Sequence, residues 1–341
     1  METVTIKDIA KALNLSTSTV SRALRGSYEI NAETKRIVIE YAEKVSYSPN
    51  PIALSLKESK SKAIGVIVPE IANHFFSQAI NGIEDIANKR GYHVVIFQSH
   101  ESYEREVVNI QHIIARKVDG LLISLSGQTT NLSHLQEIKR KGLPFVLFDR
   151  VSDEIDCNKV VADNFEGAFK ATEHLILSGR KRIAHITSPS LLSITKERLA
   201  GYKAALQKYN IIYDETLVKY CGFGAEEAKE LVFEMLENSK PDAIFTASDR
   251  LALDCFSAVK EKNWAMPDDV SFIGFTNLKV AHLLDPPLST VVQPAFEIGQ
   301  TAAELLLDSI ERKPQMMEQF RTIKIPTELV IKKSSEMDFK N

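Results

Sequence analysis

The chain has 341 residues, 44% hydrophobic and 26% charged, with a net charge of −3, an ordinary globular composition that excludes a disordered or low-complexity protein. Its length exceeds one core and favours a small module plus one or two larger α/β lobes. Cys157, Cys221 and Cys255 follow no paired spacing, which argues against a disulfide framework or a zinc site, and no apolar run reaches the roughly 18 residues that cross a bilayer.

The first 60 residues hold nine Lys or Arg against seven Asp or Glu, and the rest 33 against 38. That asymmetry is mild and does not by itself point to a polyanion. The spacing does. Thr5 with Asp8 forms a capping box, and Ile6, Ile9, Ala10 and Leu13 recur at helical period, which predicts a short amphipathic helix. Asn14 suits a left-handed turn and Ser16 can cap a second helix after a gap too short for anything but a tight corner. In that second helix Val20, Ala23 and Leu24 form the inward stripe, leaving Thr17, Ser18, Ser21, Arg22 and Arg25 outward. Small hydroxyls beside a cation suit a major groove, where Thr and Ser approach base edges and Arg binds guanine or a phosphate. Asn31 then caps a third helix with Ile37, Tyr41, Ala42 and Val45 closing a three-helix core.

The run VTIKDIAKALNLSTSTVSRAL resembles the helix-turn-helix of the LacI/GalR (lactose repressor) family of bacterial transcriptional regulators. The resemblance implies that Thr17, Ser18 and Arg22 read bases, while Thr5, Ser16, Thr19 and Ser21 anchor phosphates, which position the protein without specifying sequence. After this headpiece (residues 1–47) comes a hinge and linker (48–62). There Asn50 can cap and Pro51 can open a helix of about two turns, too short to stand alone in water. By the resemblance, two such hinges, one per subunit of a homodimer, pair in the minor groove of a pseudo-palindromic operator. Asn50 and Ala53 lie in that contact, and Leu56 wedges between base steps. Many members carry Arg where this chain has Leu54.

From residue 63 to 335 apolar strands alternate with amphipathic helices. AIGVIV, HVVIF, GLLIS and FVLF mark one parallel lobe; RIAHIT, AIFTA and VSFIGF mark a second. The expected fold class is an N-terminal all-α helix-turn-helix plus an α/β core of two doubly wound parallel-sheet lobes, with a ligand cleft where strand C-termini open. A sugar needs bidentate hydrogen bonds to its hydroxyls and an aromatic face, and Arg, Asp and Phe near strand ends supply these. FDR (148–150), DN (163–164), RLAGY (198–202), TASD (246–249) and PPLSTVVQP (286–294) resemble the periplasmic-binding-protein-like core of the same family. The resemblance implies effector contacts at Phe75 and Phe76 after the first strand, Asp149 after the fourth, and Arg198 at the start of the RLAGY helix. Phe223, Ser248, Thr276 and Gln293 align with further effector positions, Thr276 standing where many members have Asp. Asp149 and Arg150 can also pair as a brace for the interlobe crossover, and Asp163 with Asn164 is a helix cap.

His74, His93, His112, His174 and His185 show no metal-ligand spacing, and no GxSxG, GxxxxGK[ST] or helix-opening GxGxxG occurs, so neither a cofactor nor catalysis is expected. A solute-binding protein would use the core but leave the headpiece, the hinge and the charged N-terminus unexplained. A DNA-binding scaffold would leave the cleft unexplained. The reading is a cytoplasmic, effector-controlled repressor of operator DNA. The chain ends soon after PTELVIKKS without a leucine heptad of the kind that forms tetramers.

Overall fold

The computed structural model describes residues 4–47, 61–223, 227–275, 278–312 and 319–336. The chain separates into two compact units, Met1–Ser61 and Lys62–Asn341. The hinge residues Asn50, Ala53 and Leu56, and Thr276, lie outside the described residues.

In the first unit α1 (Ile6–Ala12) starts at the Thr5/Asp8 capping box, α2 (Thr17–Leu24) at Ser16 and α3 (Ala32–Lys44) at Asn31. Asn14 turns the corner at φ +50°. The core is Ile9, Ala10, Val20, Ala23, Val38 and Ala42, with Leu24, Tyr41 and Val45 packed on its flank. Ile37 is 40% exposed, contrary to expectation. The buried pair on α3 is Val38 and Ala42, one turn apart, so the inward stripe is rotated by one residue, or about 100°, from the face that Ile37 would lead.

The second unit holds two six-stranded sheets. The first lobe contains β1 (Ala63–Val68), β2 (His93–Gln98), β3 (Gly120–Ile123), β4 (Phe145–Phe148), β5 (Asn158–Ala162) and, from near the C-terminus, β11 (Thr322–Ile325), in the order β11-β5-β4-β3-β1-β2. Every pairing in it is parallel. Its helices are α4 (His74–Lys89), α5 (Tyr103–Ala115), α6 (Ser133–Arg140) and α11 (Ala295–Glu311).

The second lobe contains β6 (Ile183–Thr187), β7 (Val218–Tyr220), β8 (Ala243–Thr246), β9 (Ser271–Phe275), β10 (Ser289–Val292) and β12 (Glu328–Val330), in the order β12-β10-β9-β8-β6-β7. Only β12 runs antiparallel among its described pairings. Around it pack α7 (Asn164–Leu177), α8 (Ser193–Lys208), α9 (Glu227–Asn238) and α10 (Asp249–Glu261). Strands covered on both faces read as continuous apolar runs, as the fully buried β4 (FVLF) and β8 (AIFT) do.

Among the described residues the chain passes between lobes three times, at Asp163, at Gln293–Pro294 and at Pro326–Thr327. Neither lobe is therefore a continuous segment. The strand C-termini of both lobes meet at these passages, where a doubly wound sheet opens its crevice.

Candidate functional site

Two sets of side chains offer chemistry. On the headpiece, burial of Val20 and Ala23 turns the other side of α2 to solvent. Thr17, Ser18, Arg22 and Arg25 are exposed, and Thr19 and Ser21 half-buried. Ser16 Oγ accepts from the Thr19 amide at 3.0 Å and lies 2.7 and 2.8 Å from the hydroxyls of Ser18 and Thr19. Three hydroxyls thus cluster at the helix N-terminus, where the helix dipole favours an anion. Arg22 meets Glu29 at 3.4 Å with both side chains about half exposed, a pair weak enough to exchange for another anion. Thr5 spends its hydroxyl on Asp8, donating at 2.6 Å.

In the core the centre is Arg198, in the second turn of α8 rather than at its start, 2% exposed. Its Nε donates to Asn164 Oδ1 at 2.8 Å, one terminal nitrogen to the Ala247 carbonyl, and the other to Gln293 Oε1 at 3.1 Å. The guanidinium lies 3.8 Å from the centre of the Phe275 ring. Asn164 and Gln293 stand at two of the interlobe passages and Ala247 directly follows β8, so one side chain ties both passages to the end of a strand. Burial lowers its pKa from 12.5 to about 10, against the pull of Asp149, and it remains a cation at neutral pH.

Asp149, 4% exposed with φ +58°, follows β4. Burial raises its carboxyl from 3.8 to about 6, although Arg150 and Arg198 pull it down. The expected brace to Arg150 is long, 4.0 Å from Asp149 Oδ2 to Arg150 Nε. Arg150 instead donates from Nη1 to Glu101 Oε2 at 2.6 Å, and its guanidinium stands 5.6 Å from the Phe76 ring centre and 5.5 Å from that of Phe223. A carboxylate is the closer and stronger partner.

The structure therefore brings Asp149, Arg198 and Gln293 together, and joins Phe76 to Phe223 through Arg150. Phe75 and Phe76 are 5% and 3% exposed, edge to face at 5.3 Å in the first turn of α4, where they also belong to the first lobe's core. Ser248, beside Ala247, caps α10 by accepting from the Leu251 amide at 3.4 Å. Asp163 caps α7, as expected, while Asn164 orients Arg198.

A cavity of ≈ 320 Å³ touches one end of the cluster at Arg150, lined also by Ser126, Gly127, Leu192, Ser193 and Lys196. Another of ≈ 420 Å³ touches the other end at Gln293, with His74, Gln78 and Pro294. Sequence reasoning did not single out Glu101, Asn164 as an anchor for arginine, or Phe275. Each acts through a partner distant in sequence, which no local pattern announces.

His185 is fully buried, stacked between Tyr202 and Phe245 at 5.2 and 4.8 Å, with Nδ1 at 3.2 Å from the Phe245 carbonyl. His134, absent from the sequence reading, is buried on Glu106 at 2.8 Å. All three cysteines are buried and free. Among the described residues no cluster could hold a metal ion, and no helix is long and apolar enough to cross a membrane.

Residues 5–50 match the family described as bacterial regulatory proteins, lacI family, and residues 61–333 match periplasmic binding proteins and sugar binding domain of LacI family. The chain is 35% identical over 308 residues to the HTH-type transcriptional repressor CytR of Escherichia coli K12, covering 90% of each chain. It is 31% identical over 333 residues to the ribose operon repressor of Halalkalibacterium halodurans, covering 97% of each. In structure it is similar to the lac repressor dimer bound to operator and the anti-inducer ONPF, with a TM-score of 0.86, 25% identity and coverage of 98% of this chain and 99% of that one.

Proposed function

Since the chain belongs to the lacI family of bacterial regulatory proteins and is by that membership a DNA-binding transcriptional regulator, we propose that its operator affinity is set by a small molecule held at the Arg198 cluster. In this reading Thr17, Ser18 and Arg22 read base edges in the major groove and Ser16, Thr19 and Ser21 hold phosphates, as does Thr5 once its hydroxyl turns from Asp8 to the DNA. The hinge residues Asn50, Ala53 and Leu56 contact the minor groove. Two copies of the chain present two headpieces to the half-sites of a pseudo-palindrome, which is the geometry a two-fold symmetric dimer requires. The DNA partner places the protein in the cytoplasm, and it acts by binding alone, as a repressor rather than an enzyme.

The effector contacts are Asp149, Arg198, Gln293, Phe75, Phe76, Phe223, Ser248 and Thr276, to which the geometry adds Arg150. The cluster sets two guanidinium groups against the carboxyls of Asp149, Glu101 and Asp249, all of which shape its electrostatics. An anionic ligand would meet carboxylates already in place. A neutral molecule carrying hydroxyls on an apolar ring, such as a sugar or its derivative, matches both the paired donors and acceptors and the phenyl rings.

One observation carries the DNA reading: Thr17, Ser18 and Arg22 share the solvent side of α2 while Val20 and Ala23 are fully buried. Arg22→Ala should weaken specific operator binding by about 1–3 kcal/mol or more, with effector binding unchanged, and Arg198→Ala should lose effector binding with the headpiece intact. Anisotropy titrations on operator fragments, found by mapping bound genomic DNA and run at fixed salt, measure both. An unchanged operator affinity in Arg22→Ala would remove α2 from the role of reader.

A further inference from the structure

The aromatic ring of Phe223 comes from the second lobe, yet it packs against a glycine of the first. A Cβ built on Gly127 would stand 2.3 Å from Phe223 Cε2 and 2.7 Å from Cζ, so the ring lies flush on a stretch of bare backbone that no other residue type would leave open. That backbone is held from below. The Gly127 amide donates to Glu101 Oε2 at 2.7 Å, and the same oxygen accepts from Arg150 Nη1 at 2.6 Å.

Next along the loop, the Ser126 amide donates at 2.6 Å to Glu106, a fully buried carboxylate that also accepts from Thr129 Oγ1 at 2.9 Å and meets His134 Nε2 at 2.8 Å. Two successive amides of one loop are thus each tied to a carboxylate. His100 and Glu101 are consecutive non-glycine residues in the left-handed region, at φ +49° and +60°. Such strain persists only where surrounding contacts impose it, and here it plants the Glu101 carboxylate beneath the glycine. On the opposite lobe, Arg250 of α10 donates to the Gly222 carbonyl and so presents Phe223. A hydrogen bond also crosses the lobes nearby, from the Val151 amide to Ser193 Oγ at 3.1 Å.

We propose that Glu101, Gly127 and Arg150 form a receiver on the first lobe for Phe223 of the second, so that contacts of the protein alone suffice to latch the two lobes together. Arg150 is the keystone: its guanidinium stands between the Phe76 and Phe223 rings, within the range at which a cation is held by an aromatic face, and Glu101 fixes its position. Glu101 is then a positioning residue for closure, and Gly127 is required because a side chain there would hold Phe223 off. Any effector whose entry parts the lobes has to lift Phe223 from Gly127, so the latch opposes that opening whatever the effector's identity. The inference rests on the core's own geometry and is independent of which molecule the cluster binds.

The test uses the full chain without effector. The native cysteines are buried, so spin labels go selectively onto Asn131→Cys in the first lobe and Gln207→Cys in the second, both exposed positions. Labelled chain is diluted into unlabelled chain, and the interlobe distance is read by pulsed electron resonance. The unmodified latch should give one short distance. Phe223→Ala, Gly127→Val and Glu101→Ala should each shift the distribution by several ångströms to longer distances, and Phe223→Tyr should restore the short one. A broad or long distance in the unmodified latch, or the same short distance in Phe223→Ala, overturns the proposal. Phe223 is 36% exposed and its truncation should leave folding intact, so Phe223→Ala decides the matter even if Gly127→Val does not fold.

Discussion

Asp149 and His185 are buried at the same cluster's edge and are shifted in opposite directions. Burial lifts the Asp149 carboxyl to about 6 and drops the His185 imidazole from 6.5 to about 4, the latter partly offset by its hydrogen bond to the Phe245 carbonyl. Between pH 4 and 6 folded Asp149 keeps a proton that the unfolded chain has released, so its contribution to stability falls as pH rises. Over nearly the same window folded His185 has lost a proton that the unfolded chain retains, so its contribution rises with pH. Each shift is worth roughly 3 kcal/mol across the window, and the two nearly cancel. Asp149→Asn should leave a stability that climbs with pH relative to the parent, and His185→Phe one that declines. Urea unfolding of both variants against the parent from pH 4 to 6 checks this, and difference curves of the same sign would contradict it.

At the scale of elements, the lobes are held by helices that cross at glycine. Gly82 on α4 and Gly299 on α11 pack so closely that a Cβ on either would lie 2.0 Å from a backbone oxygen of the other helix, that of Phe296 or Ala79. On the second lobe, Gly201 of α8 brings the Phe165 carbonyl of α7 within 2.2 Å of the same construction. Backbone cannot move aside as a flexible side chain can, so Gly299→Ala should separate α4 from α11 and cost at least the 1–3 kcal/mol typical of an overpacked core, about 3 or more here. Gly91→Ala is the control, with φ +70° but nothing within 4 Å, and should cost only the left-handed penalty of about 1–2 kcal/mol. Equal urea midpoints for the two variants would show that the helix pair has slack. The strands the sequence did not announce, β5, β7, β10, β11 and β12, belong to the same scale. They are three to five residues long and carry Asn, Lys, Ser, Thr or Glu. Such segments gain strand geometry from a partner already in the sheet rather than from their own pattern.

For the whole molecule, the proposed control is a linkage between two equilibria, and linkage is reciprocal. If a ligand at the Arg198 cluster changes operator affinity by some factor, saturating operator DNA must change ligand affinity by the same factor. Titrating the ligand calorimetrically with and without operator, and the operator with and without ligand, should give equal ratios. Unequal ratios, or a filled cleft with unchanged operator affinity, would separate the headpiece from the cleft. The same ligand should also raise the melting temperature of the chain, since binding to the folded state alone stabilises it.

What the sequence by itself determined is local. The caps at Thr5, Ser16 and Asn31, the turn at Asn14 and the inward Val20 and Ala23 were readable because each depends on residues within one or two helical turns. So was the succession of apolar strands and amphipathic helices. The phase of α3 escaped by one residue, because Ile37 and Val38 are equally apolar and only the packing of α1 and α2 chooses between them.

What only the tertiary structure decided is which strand ends meet. Arg198 finds Asn164 across 34 residues and Gln293 across 95, and Glu101 finds Gly127 and Arg150 across 26 and 49. Parallel crossovers carry the C-terminus of every described strand but the antiparallel β12 to the same edge of its sheet, and the three passages between lobes among the described residues set those edges face to face. The partners of a buried charge are therefore chosen by topology, and no spacing along the chain records them.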